Sequence, residues 1–242
     1  MKIRLGLALA LSALAIPASA QNQASQDKKA VPHRHPQQQS SHQIAPGAAN
    51  AHLHRMSFQE MVERFEVAGR ETWQKPEEVI DLLGNIRGKT VLDLGAGTGY
   101  FSVRLARHGA KVIAADVDKR FLDFIQTRAK AEGTDGGQVI TRLIPYDNPG
   151  LSPAEVDAVL MVDVYHHIEH RPTYFGKLRA GMKPGAPLLI VDFHPNKNNP
   201  EGPPPELRIA PKEVEEELRK AGFSQFNWKE DWLEYQYVLI AR

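Results

Sequence analysis

A glycine-rich stretch near the middle of the chain is its clearest chemical signal. Residues 93–99 read Asp-Leu-Gly-Ala-Gly-Thr-Gly, directly after a short apolar run and directly before an amphipathic one. Glycines let the backbone turn sharply and approach a ligand closely, and the helix that follows offers free N–H groups. Loops that bind dinucleotides have the spacing Gly-x-Gly-x-x-Gly. If that pattern begins at Gly95, its last position is Tyr100 instead of glycine. Counted from Gly97 it is Ser102, so neither register fits, whereas acid-x-Gly-x-Gly-x-Gly fits throughout.

A second carboxylate ends the next apolar run of the sequence. Asp116 follows the glycine stretch after one amphipathic segment. A carboxylate at that place can accept hydrogen bonds from both hydroxyls of a ribose. The glycine stretch, Asp93 and Asp116 together therefore predict a site for a cofactor that contains a nucleoside.

Side chains that can exchange protons follow two later apolar runs. Tyr165, His166 and His167 come after one of them, and Asp192 and His194 come after the next. Ligands of parallel sheets bind beyond the carboxyl ends of the strands, and histidine titrates near neutral pH. We predict that either His166 or His167 faces the pocket as a general base and that the other is structural. A metal held by these histidines and Asp192 is an alternative that rests on ligand count alone.

The elements that must position these residues follow from apolar periodicity. Strands are predicted at 91–94, 111–116, 139–144, 156–162, 188–193, 223–228 and 235–241, and helices at 100–107, 121–129, 174–182 and 211–221. Strands that alternate with helices need crossover connections and form a parallel sheet covered on both faces. The last two strands have no helix between them and should pair as an antiparallel hairpin. The sequence thus predicts an α/β, Rossmann-like three-layer sandwich with a mostly parallel seven-stranded sheet and an antiparallel edge hairpin.

Composition removes several classes of function. The 242 residues include 30 Lys and Arg against 29 Asp and Glu. Proteins that bind nucleic acid through its phosphates carry a larger basic excess, so we expect no nucleic-acid partner. The chain has no cysteine, which excludes disulfides, thiolate zinc sites and cysteine nucleophiles.

The N-terminus carries a separate pattern. Lys2 and Arg4 precede an apolar stretch over residues 5–16 that is followed by an Ala-x-Ala sequence. This order predicts a signal peptide over residues 1–20, because a membrane-spanning helix needs ~20 apolar residues. We expect an exported protein, periplasmic or secreted, without a stable membrane anchor; a cytoplasmic protein with an uncleaved extension is the alternative.

The segment that follows separates this leader from the folded region. Residues 21–50 are rich in Gln, Ser and His and poor in aliphatic side chains, which predicts a disordered linker. From about residue 57, helical spacing of apolar residues begins, and a further helix is predicted to start at Pro76. We interpret residues 51–86 as a helical lid segment and residues 87–242 as the main domain.

In combination, these motifs resemble those of class I S-adenosylmethionine-dependent methyltransferases. VLDLGAGTGYFSVRLA and VIAADVD resemble the first two family motifs, DAVLMVDVYHHI the fourth-strand motif, and MKPGAPLLIVDF the turn and fifth strand. The segment EEELRKAGF resembles the closing helix, so that the resemblance covers roughly residues 70–242. It implies S-adenosyl-L-methionine as cofactor and a small-molecule methyl acceptor.

The resemblance also implies a role for each matching residue. Asp93 would lie near the amino group of the cofactor, and Asp116 would hold its ribose hydroxyls. Val117 would flank the adenine, and Asp147 would meet the adenine amino group unless it only forms a turn before Asn148. The methionine part and the sugar would be wrapped by Gly95, Ala96, Gly97, Thr98 and Gly99.

Two further residues would lie close to the reacting sulfonium. By resemblance, Asp163 begins the segment nearest to it, and the lid segment covers the methionine end of the cofactor. Within that segment Trp73 is the aromatic residue whose ring face could attract the positive charge. Packing at a helix junction is the alternative role of Trp73.

Three functions follow from these patterns. The first is transfer of a methyl group, in line, to an oxygen, nitrogen or carbon nucleophile of a small molecule, with a histidine as an optional base. The second is a non-catalytic protein that binds S-adenosylmethionine. It is considered because the predicted signal peptide would export the protein, whereas the cofactor is made in the cytosol. The third is an NAD-dependent oxidoreductase, which the spacing of the glycine stretch disfavours.

Overall fold

Strands and helices alternate from Thr90 onward, as the apolar periodicity predicts. The structure, a computed structural model, describes residues 48–51, 55–134, 137–198 and 202–242. The predicted signal peptide and all but the end of the predicted linker lie outside these residues. At that end, Ala48–Ala51 form a short helix, α1.

Within the described residues, seven strands form one mixed sheet with the order β3-β2-β1-β4-β5-β7-β6. Their bounds are β1 Thr90–Leu94, β2 Lys111–Asp116, β3 Val139–Leu143, β4 Ala158–Val162, β5 Leu188–Phe193, β6 Phe226–Lys229 and β7 Gln236–Ala241. Strands β1 to β5 pair in parallel, and β7 runs antiparallel to both β5 and β6. The predicted fold class is confirmed. The second strand of the terminal hairpin, rather than the first, adjoins β5.

Helices cover the sheet on both faces. Beyond α1, their bounds are α2 Phe58–Phe65, α3 Arg70–Gln74, α4 Pro76–Asp81, α5 Tyr100–Arg107, α6 Lys119–Ala131, α7 Arg171–Gly181 and α8 Pro211–Lys220. Alternate residues of a strand point to opposite faces: Leu92 packs in the cluster that includes α7 and α8, and Val91 in the cluster that includes α4 and α5. None of the helices in the described ranges combines the length and apolar character needed to cross a membrane.

Between α1 and the sheet, the described residues form three short helices, α2 to α4. A capping box starts α2, in which the Ser57 hydroxyl accepts a hydrogen bond from the Glu60 N–H and Glu60 accepts one from the Ser57 N–H. Pro76 occupies the first turn of α4 as predicted. The five residues of α3 were not predicted, because they show no apolar periodicity and lie between left-handed residues, Gly69 and Lys75.

Candidate functional site

A cavity of about 230 Å³ opens at the carboxyl ends of the parallel strands, where ligands of such sheets bind. Its wall contains residues from the glycine loop, from the ends of β2, β4 and β5, and from α2 and α3. Eleven of the predicted site residues line it: Trp73, Asp93, Gly95, Ala96, Gly97, Thr98, Asp116, Val117, Asp163, His166 and His167. The fold therefore brings most of the predicted residues to one place.

The glycines of the loop have different packing reasons. Gly95 has a φ of 71°, and a Cβ there would lie 2.8 Å from Val164 Cγ1 and closer still to the other methyl group. At Gly97, with a φ of 51°, a Cβ would lie 3.3 Å from the ring of Phe65. Gly95 thus lets β1 and the turn after β4 approach each other, and Gly97 lets the end of α2 approach the loop.

We expect Gly95→Ala to lower the free energy of unfolding by about 2–3 kcal/mol, from left-handed strain together with the collision at Val164. Urea denaturation followed by circular dichroism measures the change. The matched control is Gly176→Ala in the interior of α7, where a Cβ meets no atom within 4 Å. This control should raise stability by about 0.5–1 kcal/mol. Equal effects of the two substitutions would contradict the packing role of Gly95.

Two predicted site residues lie away from the cavity wall. Gly99 begins α5, and a Cβ there would lie 2.8 Å from Ile125 Cγ1, so this glycine serves the packing of α5 on α6. The side chain of Asp147 is 49% exposed and lies 3.7 Å from Lys177 Nζ. From its loop, Tyr146 lines the cavity instead.

Two buried carboxylates flank the glycine loop. Asp116 accepts a hydrogen bond from the Gly97 N–H at 2.9 Å and, through its other oxygen, one from the Asp118 N–H at 2.9 Å. Asp93 accepts one from the Ser102 hydroxyl at 2.5 Å. Burial raises the pKa of both carboxyls to about 6, although these hydrogen bonds favour the ionised form.

His166, which lines the same cavity, is paired with the buried Asp192 of β5. His166 Nδ1 is 2.9 Å from one oxygen of Asp192 and 3.0 Å from the other, and the His166 N–H donates to the carboxylate at 3.1 Å. Burial opposes the charge on the imidazole, but the carboxylate outweighs it, so the pKa of His166 lies above its ordinary value. Burial likewise works against the charge on Asp192, but His166 holds the pKa of that carboxyl below its ordinary value. The carboxylate of Asp192 thus fixes the orientation of the His166 ring through its Nδ1 atom.

Both neighbouring imidazoles line the cavity, whereas we expected only one to do so. Tyr165, His166 and His167 form a 3-10 turn rather than a strand, so consecutive side chains do not point to opposite faces. The ring centroids of His166 and His167 are 4.1 Å apart. The backbone carbonyl of His167 also accepts a hydrogen bond from the Asn50 side chain at 3.0 Å, which connects α1 to this turn.

Asp163 belongs to a polar network that no local pattern in the sequence indicates. Its φ is 61°, a left-handed conformation that a residue other than glycine rarely adopts. Its carboxylate accepts hydrogen bonds from the side-chain amides of Gln74, at 3.1 Å, and Gln236. Arg70 lies 3.6 Å away, yet burial raises the pKa of Asp163 to about 6. The network joins α3, β4 and β7 beneath the cavity.

A buried cation and a buried hydroxyl occur together beside the loop. The Arg70 guanidinium lies 4.2 Å from the centroid of the Tyr100 ring. A second guanidinium, that of Arg104, lies 3.8 Å from the same centroid. Arg70 and Tyr100 both line the cavity. Among the residues described, none hydrogen-bonds the buried Tyr100 hydroxyl. This hydroxyl and the guanidinium could therefore serve an anionic group.

The end of α2 covers the glycine loop. Phe65 stacks on Phe121 of α6, with ring centroids 5.4 Å apart. The next residue, Glu66, accepts a hydrogen bond from the Thr98 hydroxyl and pairs with Arg128 at 2.6 Å. These contacts attach the predicted lid segment to the loop and to α6.

The predicted metal alternative finds no support in the arrangement of its four residues. The His194 ring contacts the Glu230 carbonyl at 3.0 Å and packs edge-on against Tyr237. In the described ranges, no group of three or more His, Asp or Glu side chains is arranged to hold a metal ion.

Comparison with known proteins assigns the domain that carries this site. Residues 91–185 match the family model described as a methyltransferase domain. Residues 91–185 thus form a methyltransferase domain. This confirms the predicted enzyme class and cofactor at the level of the domain family, and the alternative of an NAD-dependent oxidoreductase is set aside.

Named relatives match the methyltransferase domain over part of their length. A demethylmenaquinone methyltransferase from Tropheryma whipplei is 29% identical over 117 residues, which are 48% of this chain and 47% of that protein. A ubiquinone biosynthesis O-methyltransferase from Aeromonas salmonicida is 24% identical over 118 residues, 49% of this chain and 49% of that protein. The chain spans about half the length of the curated relatives it matches.

A solved structure extends the likeness of fold beyond the matched segment. The crystal structure of a SAM-dependent methyltransferase from Aquifex aeolicus has a TM-score of 0.70 and 24% sequence identity. The match covers 77% of this chain and 98% of that chain. At this identity the likeness shows the fold of the methyltransferase domain.

Proposed function

We propose that this protein binds S-adenosylmethionine in the described cavity and transfers its methyl group to a small-molecule nucleophile. One observation carries the proposal: the glycine loop, its two acids and His166, whose ring is held by Asp192, line a single cavity. A cofactor site and a proton acceptor are thus adjacent. Two relatives, a demethylmenaquinone methyltransferase and a ubiquinone biosynthesis O-methyltransferase, favour a small-molecule acceptor over a macromolecule.

The residues present fit the proposed cofactor. The unpartnered, buried hydroxyl of Tyr100 and the guanidinium of Arg70 complement a carboxylate such as that of the methionine part. Each oxygen of Asp116 accepts one backbone N–H, which leaves acceptor capacity for ribose hydroxyls. Asp93 is an acceptor suited to the amino group.

Further contacts would hold the base and the chain of the cofactor. Val117 and Tyr146 offer apolar surface for the adenine, and Gly97 offers a backbone without a side chain for the ribose. When bound, S-adenosylmethionine supplies a methyl group already activated on a sulfonium. The protein then has to align the acceptor and exclude water, which can contribute ~7–11 kcal/mol.

His166 is the residue that we propose as general base. Asp192 accepts the Nδ1–H of the neutral ring, so that Nε2 keeps the lone pair that takes a proton. Such a base contributes typically ~10²–10⁴-fold. Asp163, whose carboxylate is bound by two glutamine amides and lies near Arg70, is a positioning residue: it holds Arg70 at the cavity wall.

Calorimetric titration of the full chain with S-adenosylmethionine, S-adenosylhomocysteine and NAD tests the proposed function. We expect S-adenosylmethionine and S-adenosylhomocysteine to bind and NAD not to bind. In a separate assay, we expect a labelled methyl group to pass from S-adenosylmethionine to a small acceptor. Binding without transfer to any acceptor would favour the non-catalytic alternative. Binding of NAD alone would contradict the proposal.

The affinity for S-adenosylhomocysteine should depend on pH. Asp93 and Asp116 have pKa values of about 6 in the free protein, and the ribose hydroxyls and the amino group favour their ionised forms. Affinity should therefore be constant above about pH 7 and fall below pH 6, by up to about tenfold per pH unit for each proton taken up. Calorimetry between pH 5 and 8 measures this, and a flat profile would contradict it. Asp116→Asn should reduce the slope, whereas Asp123→Asn, on the exposed face of α6, should not.

We also propose that residues 1–20 direct export and are removed. The support is the basic, apolar and Ala-x-Ala order of the sequence. N-terminal sequencing of protein from the envelope and cytoplasmic fractions is the test, with a start at Gln21 expected in the envelope. Protein that begins at Met1 and remains in the cytoplasm would overturn it.

A further inference from the structure

We propose that the methyl acceptor is an aromatic hydroxyl compound, a phenol or hydroquinol, whose ring lies against Trp73 and Phe193 with its hydroxyl at His166. The inference rests on the proposed function and adds the class of substrate. It depends on three features of the cavity: an aromatic wall, a fixed imidazole and, among the described residues, nearby carboxylates that are already hydrogen-bonded.

The aromatic wall comes from two segments that are far apart in the sequence. Trp73 of α3 is half-buried and packs on Phe193, at the end of β5, with ring centroids 6.2 Å apart. The ring of Tyr235 also packs on the indole of Trp73, with ring centroids 5.9 Å apart. Both Trp73 and Phe193 line the cavity. Aromatic rings prefer offset or edge-to-face partners, so this wall favours a planar ring over an aliphatic chain.

The proton acceptor lines the same cavity as that wall. The carboxylate of Asp192 accepts hydrogen bonds from both the backbone N–H and Nδ1 of His166. Within the described residues none hydrogen-bonds Nε2 of His166. Because Phe193 and His166 line one cavity of about 230 Å³, we infer that a ring against Phe193 places its hydroxyl at His166.

The charges at this end disfavour a cationic amine as acceptor. Asp163 accepts the amide N–H groups of Gln74, the residue after Trp73, and of Gln236, with Arg70 3.6 Å away. The carboxylate of Asp192 is paired with His166. The other acids that line the cavity lie by the glycine loop and the end of β2: Asp93, Asp116 and Asp118. Among the described residues, the carboxylates beside His166 are therefore already engaged, and a cationic ammonium group has no unpaired partner there.

The chemistry of the hydroxyl agrees with this placement. A phenol has a pKa of ~10, whereas that of water is ~15.7 and that of an aliphatic alcohol is similar. The pKa of an imidazole with a carboxylate partner is much closer to the first value, so this base can take a proton from a phenol more readily than from an alcohol. In the step, the phenolic proton passes to His166 Nε2 and the oxygen forms a bond to the methyl carbon. The carbon–sulfur bond breaks, its electron pair remains on sulfur, and the proton leaves His166 to solvent. Atoms and charge balance with S-adenosylmethionine as the only co-reactant.

Transfer of labelled methyl from S-adenosylmethionine by the full chain tests the inference. The acceptors are phenol, catechol and 1,4-naphthohydroquinone, and the probes that lack either the aromatic ring or the hydroxyl are cyclohexane-1,2-diol and the cationic benzylamine. We expect transfer to at least one aromatic hydroxyl, at a rate about 10²-fold or more above those of the diol and of benzylamine. Equal or faster transfer to the diol or to benzylamine, or no transfer to any aromatic hydroxyl, would overturn the inference.

A variant and a binding measurement separate this inference from the proposed function. Trp73→Leu keeps an apolar side chain but removes the ring, and should raise KM for the aromatic acceptor about tenfold, with S-adenosylhomocysteine affinity within about twofold. If KM is unchanged and that affinity falls instead, Trp73 belongs to the cofactor site and the inference fails. If the full chain does not bind S-adenosylhomocysteine at all, the proposed function itself has failed.

Discussion

Replacing Asp116 with alanine is expected to weaken binding of S-adenosylhomocysteine about 100-fold. The carboxylate ends β2 in the cavity wall, and each of its oxygens holds one backbone N–H of the loops that surround the site. Loss of hydrogen bonds to two ribose hydroxyls costs about 1.5 kcal/mol each, since one partner is charged, and 3 kcal/mol is about 100-fold in affinity. Calorimetric titration at pH 7.5 measures the change.

The melting temperature of the same variant shows whether the effect is local. The burial that raises the pKa of Asp116 to about 6 shows that its ionised form is poorly solvated. Removal of the charge therefore offsets part of the two lost backbone hydrogen bonds, and we expect stability to change by about 1 kcal/mol. Asp123→Ala, with a side chain that is 59% exposed and paired with Lys119, is the matched control. Unchanged affinity in Asp116→Ala would exclude the ribose role.

Replacing His166 with glutamine is expected to lower the rate constant for methyl transfer by about 10²–10³-fold, because the acceptor loses its base. The affinity for S-adenosylhomocysteine should stay within about twofold, since His166 is assigned to the acceptor. Rapid-quench measurement of a single turnover, with cofactor and acceptor saturating, isolates this step. His170→Asn is the control, because His170 precedes α7 in a left-handed conformation that asparagine tolerates.

The pH profile separates the base from a structural histidine. Asp192 and Asp163 raise the pKa of His166, whereas burial and Arg171 oppose them. The transfer rate should rise with pH through this raised pKa as the ring becomes neutral. In Asp192→Asn the midpoint should move to lower pH, because the carboxylate that stabilises the charged ring is gone. A midpoint that does not move in Asp192→Asn, or a His166→Gln variant with an unchanged rate, would contradict the assignment.

Much of the fold follows from local sequence patterns. The bounds of β2, β5 and α5 agree with their apolar runs, since each run ends at a turn residue or a charge. Helix α3 was not predicted from the sequence, because contacts with distant residues hold its five residues in place. Trp73 packs on Phe193, and the Gln74 side chain donates a hydrogen bond to Asp163. The insertion of β7 between β5 and β6 is likewise set by pairing across the sheet.

The site divides in the same way. The glycine loop is a continuous stretch of sequence, and Asp116 ends the next strand. Their spacing along the chain was therefore enough to predict that they share one site. In the network of Arg70, Gln74, Asp163 and Gln236, a hydrogen bond joins Gln74 and Gln236, which are 162 positions apart, so no window of sequence contains its pattern. For Asp147 the sequence left two roles open, a contact with the adenine and a turn before Asn148. In the structure its side chain lies 3.7 Å from Lys177 of α7, a contact between distant residues that the turn motif does not contain.

A crystal structure of the protein with S-adenosylhomocysteine tests the central claim most directly. The account predicts the ribose hydroxyls on Asp116 beside Gly97, the amino acid carboxylate at Arg70 and the Tyr100 hydroxyl, and the sulfur facing His166. A structure obtained at saturating ligand in which Phe65 and Arg70 fill that space and the nucleoside is bound elsewhere or not at all would contradict it.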